Sequence, residues 1–213
     1  MTNPFTYFDA IYCLNLDSQP DRWRDVADRF ATLGILPLVE RISAVSTPEN
    51  HHRGCALSWR EMVFRAEGLG LEHFLGFEDD VMFLDDTLVV VEGAVAELDQ
   101  VAWDLCYFGA CVHDLVFPFL TDSTVLQECG IVSCSHALAI HRRAFAQILS
   151  DIPEDRASFD RWIDDQLAID QYLARRIADG TFKAVICSPR VATQPALRNH
   201  ADADLALADR YVI

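Results

Sequence analysis

Three carboxylates stand in a row at Glu78-Asp79-Asp80, directly after the apolar run His73-Phe74-Leu75-Gly76-Phe77. Adjacent carboxylates repel one another unless a cation or an arginine compensates them. A hard divalent ion such as Mg2+ or Mn2+ takes oxygen ligands and bridges them to a phosphate. Alternate residues of an extended chain face the same way, so Glu78 and Asp80 can share one ion while Asp79 points elsewhere. The plainer alternative is a solvated loop end, with Asp79 or Asp80 capping the next helix.

A second segment runs from Asn15 to Arg24. Asn15, Leu16 and Asp17 end another apolar run and lead into Ser18-Gln19-Pro20-Asp21. A polar loop that opens a helix presents free N–H groups and a partial positive charge, which suit an anion. Arg22 and Arg24 can add charge-assisted contacts to a diphosphate. A capped surface helix with solvated arginines explains the same residues. There is no G-x-G-x-x-G and no Walker lysine, which disfavours ordinary dinucleotide and P-loop sites.

A third group is Asp160, Asp164, Asp165 and Asp170. Asp170 lies beside the apolar stripe Ile169, Tyr172, Leu173 and Ile177, and so can face a cleft as a general base. Solvation on an exposed helix face is the competing reading for each member. His51, His52, His136 and His200 do not cluster in sequence, and no G-x-S-x-G elbow is present. The seven cysteines sit mostly among apolar residues, as free buried thiols of a reducing cytoplasm do. Cys106/Cys111 and Cys129/Cys134 share a C-x4-C spacing, looser than most zinc sites use.

These side chains need a scaffold, and the hydrophobic pattern supplies one. Strands are expected over 7–16, 36–42, 73–77, 103–109, 135–140 and 182–187. Amphipathic helices alternate with them. The first carries Trp23, Val26, Ala27, Phe30 and Ala31 on one face, with Asp17 or Ser18 as its cap and Gly34 as its stop. The second carries Cys55, Trp59, Met62, Val63 and Ala66. The third, over 86–99, turns Leu88, Val91, Val95 and Leu98 inward. Further helices are expected over 141–150 and 161–179. Alternation of this kind predicts an α/β layered fold in a single domain, with a mainly parallel sheet flanked by helices. Ligands of such sheets sit at the carboxyl ends of the strands, where both polar clusters fall.

The chain has 213 residues, enough for one sizeable core, and a formal net charge of −16. That charge argues against a nucleic-acid partner and against electrostatic docking on an anionic membrane. Lys183 is the one lysine among 17 basic residues; the rest are arginine. No run reaches the roughly 18 apolar residues of a membrane span, so no transmembrane segment is expected. Asn15 and Asp17 interrupt the first apolar run, and no basic stretch precedes it, so a cytoplasmic location is expected rather than secretion.

Six segments, in order, are IYCLNLDSQPDRW at 11–23, GCALSWREMV at 54–63, FEDDVMF at 77–83, WDLCYFG at 103–109, SHALAIHRRAFAQIL at 135–149 and IDQYL at 169–173. Together they resemble glycosyltransferase family 25, which includes bacterial lipopolysaccharide galactosyltransferases and collagen galactosyltransferase domains. The similarity runs over about residues 8–195. It implies a GT-A-like, Rossmann-like fold, a nucleotide-sugar donor, and a divalent metal at a D-x-D-like motif, here Glu78-Asp79-Asp80. It also implies transfer with inversion, in which one carboxylate deprotonates an acceptor hydroxyl. One departure stands out: Trp59 occupies the place of the histidine in the family's Gly-Cys-Ala-Leu-Ser-His, which bears on specificity and activity.

The reading that follows is a metal-dependent sugar transfer from a UDP-linked donor to a hydroxyl of a surface glycan or lipid-linked glycan, as in lipopolysaccharide synthesis. Asn15, Leu16, Asp17, Arg22, Ser58 and Asp79 then contact the nucleotide sugar. Glu78 and Asp80 hold Mn2+ or Mg2+. Asp170 is the base, with Asp165 as second choice. Two other classes use the same residues: a metal-dependent phosphohydrolase, and a non-catalytic nucleotide- or sugar-binding module.

Overall fold

A strand that is apolar along its whole length suits a sheet covered on both faces. The structure, a computed structural model, describes residues 2–112 and 118–195; of the histidines above, His200 lies outside them. After a 3-10 turn at Pro4–Tyr7 the elements are β1 (Ala10–Asn15), α1 (Pro20–Thr32), β2 (Val39–Ser43), α2 (His51–Gly68), β3 (His73–Glu78), β4 (Met82–Phe83) and α3 (Thr87–Leu98). Then come β5 (Leu105–Val112), β6 (Leu126–Glu128), β7 (Val132–His141), α4 (Arg142–Asp151), α5 (Arg156–Gln166), α6 (Ile169–Ala178), β8 (Ala184–Cys187) and β9 (Ala192–Thr193).

Seven described strands form one sheet in the order β2-β1-β3-β7-β5-β8-β6. β1 pairs in parallel with β2 and β3, and β5 with β8; β7 is antiparallel to β3 and β5, and β6 to β8. All but β7 and β6 therefore run one way, in the mainly parallel α/β architecture that the alternation predicts. The reversed β7 has a consequence for chemistry. It begins where β3 and β5 end, so its first residues lie at the same sheet edge as Glu78.

Helices cover both faces. Tyr12 and Leu14 of β1 join a core with Trp59, Met62, Phe145 and Tyr172 of α2, α4 and α6. Ile11 and Cys13 join the opposite core, with Val26, Phe30, Val91 and Leu98 of α1 and α3. No described helix is long and apolar enough to cross a membrane.

Several details differ from the sequence expectations. Asp17 and Ser18 do not cap α1; Gln19 precedes the helix without a side-chain bond, and the Asp17 carboxylate is taken instead by Arg41 and Ser43. In α3 the buried set is Thr87, Val90, Val91, Ala94 and Leu98, while Leu88 is exposed. The Thr87 hydroxyl donates to the Leu84 and Val191 carbonyls, which pins the first turn in the core and turns Leu88 outward. The helix expected over 161–179 is two helices. Leu167 has φ of +69° and Ala168 is extended, so α6 starts afresh at Ile169. Phe159, Ile163, Ile169, Tyr172 and Leu173 are all buried on either side of the break, so burial continues across it and hides it from a periodicity reading. The small β4–β9 pair and β6 had no sequence signal.

Candidate functional site

β1, β2 and β3 end side by side, and the loops that follow them build one half of the site. Asn15 is the last residue of β1 and is buried. Its amide Nδ2 donates to the Gln19 carbonyl at 3.0 Å and to Asp79 Oδ2 at 2.7 Å. Its Oδ1 accepts from Arg41 Nε of β2 at 2.9 Å. Arg41 also donates to Asp17 Oδ1, and the Ser43 hydroxyl donates to Asp17 Oδ2 at 2.6 Å. These two bonds hold the exposed Asp17 carboxyl below the usual carboxylate range. Arg41 lies over the Trp23 ring of α1, 5.8 Å from its centroid. Leu16 is half-buried, and its carbonyl accepts from Gln19 N–H at 2.9 Å.

Asp79 is nearly buried, and Arg22 of α1 forms an ion pair with its Oδ1. The same guanidinium stands 3.7 Å from Asp80 Oδ2. Asp79 is thus held by an amide and a cation; β3 ends at Glu78 and the chain turns through Asp79 and Asp80, so the alternation expected of an extended chain does not extend to them, and both aspartates meet Arg22. Arg22 is half-exposed.

The second half of the site is built across the sheet. Glu78 Oε1 accepts from the Ser135 hydroxyl of β7 at 2.7 Å and from the Trp59 indole N–H of α2 at 3.2 Å; the Cys55 thiol lies at 3.8 Å. These donors are neutral. Burial pushes the Glu78 carboxyl up from its usual value, and the Asp80 charge adds to the effect, while Ser135 and Trp59 oppose it. Burial also raises the Asp80 carboxyl, against the pull of Arg22 and His136. Asp80 Oδ1 is buried with no hydrogen-bond partner.

Trp59 fits because Gly76 of β3 leaves room. A Cβ at Gly76 would lie 2.6 Å from the indole Cη2 and 2.7 Å from Cζ3. Trp59 is therefore packed on the strand that carries Glu78 and donates to it.

Asp170 sits in the first turn of α6, where the helix dipole attracts an anion. Its Oδ2 accepts from the Cys134 backbone N–H of β7 at 2.9 Å, and its Oδ1 from Gln171 N–H at 2.9 Å. Its charge is felt at Glu78 and at Cys55. Asp165 is exposed at the end of α5, and its carbonyl accepts from Arg175. Asp160 pairs with Arg53 and Arg156. The break at Leu167 is what separates Asp170 from these others.

Ser58 is buried in α2; its hydroxyl donates to the Gly54 carbonyl and accepts from Val45 N–H at 2.8 Å, tying the β2–α2 loop to the helix. Sequence reasoning missed Arg41, Ser135 and Cys134 as neighbours of the site, because each arrives through sheet pairing or a loop contact with no local signature. It also missed the Cys111–Cys134 pair: the sulfurs meet across β5 and β7, not within either C-x4-C spacing.

Whether a divalent ion suits this site can be judged from the donors. Among the described residues no group of three or more His, Cys, Asp or Glu is arranged to hold a metal ion. Mg2+ is commonly held by only one or two carboxylates, with water and substrate phosphates completing its shell. The orphaned Asp80 Oδ1 beside the cation-poor Glu78 fits that kind of site.

No family model matches the chain, and no curated protein matches it; family 25 therefore stays a resemblance. Among solved structures the chain is similar to the crystal structure of a glycosyltransferase involved in the glycosylation of the major capsid of PBCV-1. The identity is 9% and the TM-score 0.47, over 83% of this chain and 80% of that chain. It is also similar to the crystal structure of A197 from STIV, at 11% identity and a TM-score of 0.43, over 83% of this chain and 80% of that chain. At these scores neither likeness specifies a chemistry.

Proposed function

We propose that this chain is a glycosyltransferase that moves a sugar, with inversion, from a UDP-linked donor to a hydroxyl of a surface or lipid-linked glycan. The observation that carries the reading is the state of Asp80. One of its oxygens is buried without a partner, in the field of Glu78, Asp79, Arg22 and His136. A carboxylate so placed gains most from a ligand that brings positive charge.

Glu78 and Asp80 would hold Mn2+ or Mg2+ together with the donor's phosphates. Asp80 supplies the free oxygen, and Glu78, whose Oε1 is engaged by Ser135 and Trp59, supplies charge and a second carboxylate. The ion, when bound, neutralises the leaving diphosphate as a Lewis acid. Arg22, half-exposed and already beside Asp80, adds positive charge at the same place. Asn15 and Asp79 keep the loop that carries Arg22 in position, and Leu16 and Asp17 line the loop before α1. Asp170 accepts the proton of the acceptor hydroxyl as that oxygen attacks the anomeric carbon opposite the leaving phosphate. Its two N–H bonds fix the carboxylate's orientation. Ser58 acts from a distance, by holding the β2–α2 loop. Asp165, exposed at the end of α5, is the weaker choice for the base.

Calorimetry with UDP in Mn2+ and in chelator tests the reading. Metal and nucleotide that share one site bind with positive coupling, so UDP affinity should fall about 5- to 150-fold in chelator. Asp80→Asn should abolish that difference. Equal binding in both buffers would overturn the metal role of Glu78 and Asp80. Hydrolysis of the donor at an unchanged rate with and without an acceptor sugar would favour the phosphohydrolase.

A further inference from the structure

Cys111 of β5 and Cys134 of β7 face each other beside Asp170. Their sulfurs are 2.9 Å apart, and both side chains are only half-buried. The contact needs an irregular strand pair. Cys111 is registered with Ser133, so Cys134 would ordinarily point to the other face of the sheet. The register shifts between Gly109 and Cys111, and Cys134 takes φ of +68°, a conformation rare for a residue with a side chain. Together these turn both thiols to the same side.

The surroundings make the two sulfurs unequal. The Cys134 thiol, the hydroxyl of Ser133 and the charge of Arg190 hold the Cys111 thiol below the usual cysteine range, although burial and Asp170 oppose them. Cys134 is pushed up, first by its bond to Cys111 and then by burial, and His136 moderates the shift. Arg190 is fixed nearby through its bond to the Ala110 carbonyl at 2.6 Å, and Gln194 Nε2 donates to Cys134 Sγ at 3.5 Å. Ser133 and Arg190, which stand on the Cys111 side, thus favour Cys111 as the sulfur that attacks as a thiolate, and Cys134 supplies the second thiol. Cys106 and Cys187 also meet, but both are fully buried, and the Cys55 thiol bonds to Glu78.

We infer that Cys111 and Cys134 form a thiol–disulfide exchange site whose co-substrate is a low-molecular-weight disulfide. The Cys111 thiolate attacks one sulfur of that molecule, forms a mixed disulfide and releases one thiol. Cys134 loses its proton and attacks the Cys111 sulfur, which closes the Cys111–Cys134 bond and releases the second thiol. Two protein thiols are oxidised, and one disulfide is reduced to two thiols. The sulfurs need move only from 2.9 Å to about 2.05 Å. The Cys134 N–H also donates to Asp170 Oδ2, so the pair lies directly beside that carboxylate.

The full chain is incubated in mixtures of reduced and oxidised glutathione, quenched with an alkylating agent, and mapped as peptides without reduction. The expected result is a Cys111–Cys134 cross-linked peptide and a loss of two of the seven titratable thiols, both reversed by dithiothreitol. Cys111→Ser and Cys134→Ser should each lose the cross-link, and Cys134→Ser should instead keep glutathione on Cys111. Circular dichroism checks that both variants fold. A wild-type chain that stops at the mixed disulfide, stays fully reduced, or is oxidised at other cysteines first would overturn the inference. The mapping requires no sugar transfer, so its outcome stands apart from that of the UDP experiment.

Discussion

On the Asn15 side of the site, each acid is met by a cation or a strong donor: Asp79 by Asn15 and Arg22, Asp17 by Arg41 and Ser43. On the Glu78 side, Glu78 takes neutral donors, and one oxygen of Asp80 takes none. The three consecutive carboxylates are thus split between two environments. Asp79 belongs to a clamp that joins β1, α1 and the end of β3. Its neighbours are held in a place where their charge is unfavourable for the fold alone. Half-buried carboxylates whose charge is unfavourable mark a candidate ligand-binding site, and the clamp beside them fixes the loop that carries them.

The largest effect that separates the sides concerns Asp170, the proposed base. Asp170→Asn should lower sugar transfer about 10²- to 10⁴-fold, since an amide cannot accept the proton, while UDP affinity changes little. Asp165→Asn should leave turnover close to wild type. Steady-state rates on both variants check this, and the reverse pattern would move the base to α5.

Breaking the clamp comes next. Arg22→Ala leaves the nearly buried Asp79 with Asn15 alone and should destabilise the fold by about 1–3 kcal/mol, in urea unfolding. The half-exposed guanidinium keeps the effect at the lower end of that range. A variant with unchanged stability would show that Arg22 serves the ligand and not the clamp.

The smallest effect has the opposite sign. Glu78→Gln keeps an oxygen for Ser135 and Trp59 but removes the buried charge, so it should stabilise the metal-free protein by about 1 kcal/mol, or about 2–4 °C in Tm. The pH dependence follows from the raised folded pKa of Glu78. The folded state then holds the proton more tightly than the unfolded chain, whose carboxyl titrates near 4.3. Wild-type stability therefore falls as pH rises from about 4 through the raised folded value. The gain in the variant should be full at neutral pH and vanish near pH 4. Melting curves at several pH values in chelator check it; a variant less stable than wild type at neutral pH would place Glu78 with the clamp.

The site was only partly legible in the sequence. The acidic triplet and Asn15 stood out because each follows an apolar strand, and the chain's own continuity puts them at strand ends. Asp170 was readable as a candidate, but its separation from Asp165 was not, because apolar burial runs on through the break at Leu167. Ser135 and Cys134 carried no signal, because their role depends on β7 running against its neighbours.

The sequence by itself determined the principal strands and helices, since apolar spacing reports burial directly, and it determined that two polar clusters end buried strands; the short β4, β6 and β9 and the break between α5 and α6 it did not show. Only the tertiary structure decided the direction of β7, the meeting of Trp59 with Gly76 and Glu78, the pairing of Arg22 with Asp79, and the contact of Cys111 with Cys134. The physical reason is one of range. Periodicity records how each residue faces the core, whereas strand direction and the partner of a charge are set by residues far along the chain, through hydrogen bonds and packing that no local pattern encodes.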